Sequence, residues 1–148
     1  MCFFRAPYFP ASALLGVLAL LNVVWLRHYA VSTAIAIGLY VSLLVLVFFA
    51  GRWARCKRRR PALYTGAMGS LFGIIAGLGS FLIRDTLQDI NVPAHTAVRL
   101  KLLAWANSPG GHIAAMLTAM IAFSVISLIV GSIGGVSVKD RPRDSDIA

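Results

Sequence analysis

Four stretches of this chain, residues 6–26, 30–51, 61–83 and 102–138, contain no Asp, Glu, Lys or Arg. The hydrocarbon core of a bilayer is about 30 Å thick, and about 20 helical residues at about 1.5 Å each cross it. Each stretch is long enough, the last having its apolar centre at 113–133. Inside lipid every backbone N–H and C=O must be satisfied within the segment, which a helix does and an isolated strand does not. The short alternating segments of a membrane barrel are missing. With 59% hydrophobic and 13% charged residues, a soluble core is the wrong picture. The expected fold is therefore all-α: a single polytopic domain over 1–138 with four transmembrane helices near 11–27, 31–50, 62–83 and 112–134.

The links set how these helices turn. Residues 27–30 are too few for anything but an antiparallel hairpin, and the four helices are expected as two antiparallel hairpins. Before the first helix, Phe3, Phe4, Tyr8 and Phe9 beside Arg5 suit the headgroup boundary, and Pro7 and Pro10 suit a helix start. A cleaved signal peptide is the competing reading of this segment, on the strength of Ala30-Val31-Ser32; Arg27-His28, where a cleavage region is uncharged, counts against it. The longest link, 84–107, is moderately polar. It is expected to hold a short interfacial helix over 94–107 with Val98, Leu102 and Trp105 on one side. Ser108-Pro109-Gly110-Gly111 restarts the fourth helix, with Ser108 as its cap. Residues 139–148 alternate in charge around Pro142 and read as a disordered cytoplasmic tail.

Charge orients the chain. Arg52, Arg55, Lys57, Arg58, Arg59 and Arg60 lie between the second and third apolar stretches. Together with Arg5, Lys139, Arg141 and Arg143 they put ten basic residues on one side, against four (Arg27, Arg84, Arg99 and Lys101) on the other. The positive-inside rule places the ten, and both termini, in the cytoplasm of a plasma or inner membrane. The partners this implies are the bilayer and its anionic headgroups. A net charge of +9 also suits nucleic acid, but its basic residues sit at the ends of apolar runs rather than on an aromatic-interleaved face, so no nucleic-acid partner is expected. Cys2 and Cys56 form no metal-binding or CxxC pattern.

Small residues mark where helices should meet. Without a hydrophobic effect between helix and lipid, association depends on close backbone approach, and Gly, Ala and Ser permit it. Gly69, Gly73 and Gly77 recur every fourth residue in the third helix, with Gly66 nearby; Ala34, Gly38 and Ser42 do so in the second; Ser127, Gly131 and Gly135 do so in the fourth. All are expected to pack. The bulky run 43–49 is expected to face lipid, and Asn22 to make an interhelical hydrogen bond.

Function is constrained mainly by absences. The chain has no glutamate, and no Asp, Lys, Arg or His falls in the middle of an expected span, whereas proton-coupled carriers place such groups there. Asp85, Asp89, His95 and His112 share one side of the membrane, yet their spacing matches no ligand motif, and no catalytic triad or P-loop is present. No cofactor, metal or enzymatic activity is expected. The leading expectation is an accessory or scaffold subunit acting by helix–helix contact with itself or with another membrane protein. The alternative is an oligomeric channel or small-solute permease built around the glycine-rich third helix. A membrane enzyme using the 85–112 region is the third reading.

Overall fold

A computed structural model describes residues 8–26, 29, 31–57, 59–86 and 96–138. Among these there are six helices and no strand: α1 (Tyr8–Leu26), α2 (Val31–Cys56), α3 (Pro61–Gly77), α4 (Gly79–Leu82), α5 (Thr96–Ala106) and α6 (Pro109–Val136). α1, α2, the α3–α4 unit and α6 are each long and apolar enough to cross a bilayer. This is the all-helical, four-span architecture expected, and it fits an integral membrane protein.

The boundaries shift for local reasons. α2 runs through the first basic residues to Cys56, six residues beyond the expected end. At about 1.5 Å per residue it is about 39 Å long, so its last turns carry Arg52 and Arg55 clear of the hydrocarbon. It closes through Arg59 N–H donating to Ala54 O at 2.8 Å. The third span is not one helix: after Gly77 the chain tightens at Leu78, whose N–H donates to Ile74 O, and Phe81 N–H donates back only three residues to Leu78 O at 3.1 Å. Glycines on both sides of Leu78 weaken the helix there, and Ser80 Oγ takes up Gly77 O at 2.8 Å. α6 starts at Pro109, with Ser108 Oγ accepting from Gly111 N–H at 3.1 Å as the cap.

α3 is the central element. It packs against α1, α2 and α6; α2 also touches α1 and α6, while α1 and α6 make no contact among the described residues. Tyr64, Met68 and Phe72, four residues apart along α3, are fully buried, as are Leu43, Val47, Ala50 and Ala54 of α2. This corrects the reading of 43–49 as a lipid-facing run: a helix rotates about 100° per residue, so Leu43 and Val47 point inward while Val45 and Phe49 point outward. Ser12 Oγ of α1 donates to Met68 O of α3 at 2.8 Å, tying the two helices. The exterior is apolar, with Ile121, Val125, Ile129 and Ile133 of α6 all exposed, which is the surface a bilayer requires and water penalises.

Candidate functional site

Small residues decide where helices touch, and the four-residue stripes behave differently. On α3 the glycines turn toward α6. A methyl group at Gly73 would lie 2.7 Å from Ala119 O and from Met120 Cα, and one at Gly77 would lie 2.9 Å from Met116 Cα. At Gly69 it would overlap Phe123 O and the buried Ser127 hydroxyl. Gly66 is less crowded, its nearest neighbour being Ser124 Oγ at 3.7 Å.

α6 answers with its own small residues. Gly131 makes room for the Thr65 side chain of α3, and Gly51 of α2 lies against the Gly131 backbone. Gly134 lies against Phe48 O and Gly135 against Pro61. Gly51, Gly134 and Thr65 lie off the four-residue stripes read from the sequence. The signal for Gly51 is the small face Val47, Ala50, Gly51 and Ala54, hidden where Arg52 suggests that the helix has ended.

The α2 stripe is the exception. Ala34, Gly38 and Ser42 are exposed, and among the described residues no other helix comes within 4 Å of where a Gly38 side chain would begin. α2 has turned its Leu43–Val47–Ala50–Ala54 face inward, leaving the Ala34–Gly38–Ser42 stripe, the surface expected to permit close helix contact, on the outside of the bundle. Ser42 Oγ donates to Gly38 O at 2.8 Å, which satisfies the hydroxyl within the helix.

At the end where α2 turns into α3, an aromatic group closes the bundle. Trp53 lies 5.9 Å from Tyr8 and 5.5 Å from Tyr64, and Phe9 meets Tyr64 edge-on at 5.1 Å. The basic residues divide around it. Arg59 lies over the Trp53 ring at 5.9 Å, a cation–π distance. Arg52, Arg55, Lys57 and Arg60 are exposed, and Arg58 lies outside the described residues. Arg55 borders a groove of about 350 Å³ walled by Pro61, Ala62, Ser132, Gly135, Val136 and Val138.

The opposite end holds a second cavity of about 320 Å³ between α1, α2, the α3–α4 unit and α6, with Ser32, Ser80 and Asp85 among its lining. Its walls are pinned by hydrogen bonds. Asp85 N–H donates to Asn107 Oδ1 at 2.8 Å and Asn107 Nδ2 donates back to Asp85 O at 3.0 Å. Ser80 Oγ also reaches His112 O at 3.2 Å, and the His112 ring packs on Phe81 at 5.3 Å. Asp89 and His95, weighed with Asp85 and His112 as ligands, lie outside the described residues. Among the described residues no three His, Cys, Asp or Glu side chains group as a metal site. Among the described residues α5 touches only α6, and its Val98, Leu102 and Trp105 are exposed.

Asn22, buried near the end of α1, donates from Nδ2 to Ser32 O of α2 at 3.1 Å, the interhelical bond expected of it. Among the described residues its Oδ1 has no hydrogen-bond partner. Comparison with protein-family models, curated proteins and solved structures finds no match to the chain.

Proposed function

We propose that the protein is a non-enzymatic accessory or scaffold subunit that works by lateral contact in the membrane, through the outer face of α2. The observation that carries this reading is the contrast within one chain: the small residues of α3 and α6 pack closely inside the bundle, while Ala34, Gly38 and Ser42 keep the same spacing on an exposed face, with open space at Gly38 among the described residues. A glycine exposed to lipid weakens helix packing unless another backbone approaches it, because lipid gains nothing from the missing side chain. The basic end faces the cytoplasm in this reading, on the ten-to-four distribution of charge. A pore lined by the α3 glycines is the weaker reading, since that face lies against α6 of the same chain.

The test is the apparent mass of the complex extracted from native membranes in mild detergent. Wild type is expected to run above the monomer and Gly38→Leu at the monomer, with unchanged thermal aggregation once purified. Wild type running as a monomer would overturn the reading. Solute flux into vesicles containing wild type but not an empty control would favour the channel instead.

A further inference from the structure

The groove at the basic end has the two halves of an amphiphile's site: a cation at its mouth and an apolar wall running toward the bilayer. Arg55 stands in the last turn of α2, beyond the apolar part of that helix, and the wall comes from Pro61 and Ala62 of α3 and from Val136 and Val138 at the end of α6. Close contact of Gly135 with Pro61 forms the floor; a methyl there would lie 2.7 Å from Pro61 Cγ. At about 350 Å³ the groove falls within the size range of ligand sites.

Charge selects the occupant. Arg52, Arg55, Lys57 and Arg60 are exposed at this end, while the one carboxylate among the described residues, Asp85, lies at the other end of the bundle. A zwitterionic or cationic headgroup gains little from such a field, whereas a phosphodiester without a compensating amine gains from each cation and pairs with a guanidinium.

We propose that this groove binds one anionic phospholipid of the surrounding leaflet, its phosphate at Arg55 and the upper part of one acyl chain along Ala62, Val136 and Val138. Arg55 is then the specificity residue, and the remaining exposed cations supply a field without a seat. This goes beyond lateral contact through α2 and does not depend on it, because the groove and the α2 stripe lie on different helix faces.

The experiment counts phospholipids retained by the full chain in native mass spectrometry, with phosphatidylglycerol or phosphatidylcholine as the added lipid. Wild type is expected to retain one phosphatidylglycerol in preference to phosphatidylcholine. Arg55→Gln should weaken that retention roughly tenfold, and Arg52→Gln distinctly less. Ala62→Leu, which fills the wall and leaves charge unchanged, should also lower retention. Should that variant aggregate early in neutral lipid, Val136→Trp fills the groove from the exposed rim instead. Equal losses from Arg52→Gln and Arg55→Gln, with no loss from either groove-filling variant, would reduce the effect to a diffuse field and overturn the proposal. Displacement of the lipid by inorganic phosphate would overturn it too, by making the site one for a free anion. If retention appears only after Asp140, Asp144 and Asp146 are all changed to Asn, the groove belongs to the carboxylates of the chain's own tail and the proposal fails.

Discussion

The inner face of α3 and the outer face of α2 carry the same pattern and meet opposite fates. Gly69, Gly73 and Gly77 are pressed against the α6 backbone, whereas Ala34, Gly38 and Ser42 are exposed and, among the described residues, Gly38 has open space beside it. The difference lies in the partner. α3 faces a helix whose own Ser127 and Gly131 let two backbones close on each other, and its buried Thr65 fits the space that Gly131 leaves. α2 spends its Leu43, Val47, Ala50 and Ala54 face on the core, and among the described residues no second helix covers the other side. Small residues at a spacing of four are thus a permission for contact; a contact forms only where two such surfaces are brought together by the turns.

This comparison can be broken by substitution. The largest effect is expected at Gly73→Leu. Even the first carbon of the new side chain meets the α6 backbone at 2.7 Å, and backbone cannot swing aside as a side chain does. Overpacking of this kind costs about 1–3 kcal/mol or more, so thermal aggregation in detergent should begin at a clearly lower temperature than for wild type. Leucine is the better helix former, so any loss must come from tertiary contact.

Ser12→Ala comes next. It removes the buried α1–α3 hydrogen bond to Met68 O and should cost about 1 kcal/mol, read as a smaller downward shift in the same assay. No shift would mean that lipid-facing α1 is held by packing alone.

At Gly66 a methyl would sit 3.7 Å from Ser124 Oγ and 3.8 Å from Leu128 Cβ, ordinary contact distances. Gly66→Ala should therefore leave the aggregation temperature unchanged or raise it slightly, and a fall like that of Gly73→Leu would show that the seam is tighter at this end than its geometry implies. The smallest effect is expected for Gly38→Leu in the purified protein, because among the described residues the new side chain begins in open space on an exposed face. Destabilisation there would place a neighbour on the outer face of α2 even in detergent.

Much of this architecture was legible in the residues, because bilayer thickness and backbone satisfaction leave few alternatives for runs as long and apolar as these. Ser108 and Pro109 announced the start of α6 by their chemistry. What escaped was rotational. Helices apolar all round carry almost no signal for which face turns inward, so the Gly38 and Leu43 faces of α2 were interchangeable until α3 and α6 were in place. The break at Leu78 was hidden in the same way: Gly73 and Gly77 read as packing residues, and the cost of the glycines to helix continuity showed only in the hydrogen bonds. The groove at Arg55 was invisible because it joins three helix ends that are distant in sequence, while the cations around it were plain.

The claim that organises all of this is that α3 and α6 seal against each other within one chain. A disulfide between positions 66 and 128 tests it most directly, since a Gly66 side chain would begin 3.8 Å from Leu128 Cβ, the usual Cβ separation of a disulfide. With Cys2 and Cys56 changed to Ser, the chain carrying both Gly66→Cys and Leu128→Cys should oxidise in membranes to a monomer with an internal crosslink. Co-expressed chains carrying one substitution each should stay unlinked. Disulfide-linked dimers from the co-expressed single variants, with no internal crosslink in the double variant, would contradict the account by placing the seam between chains.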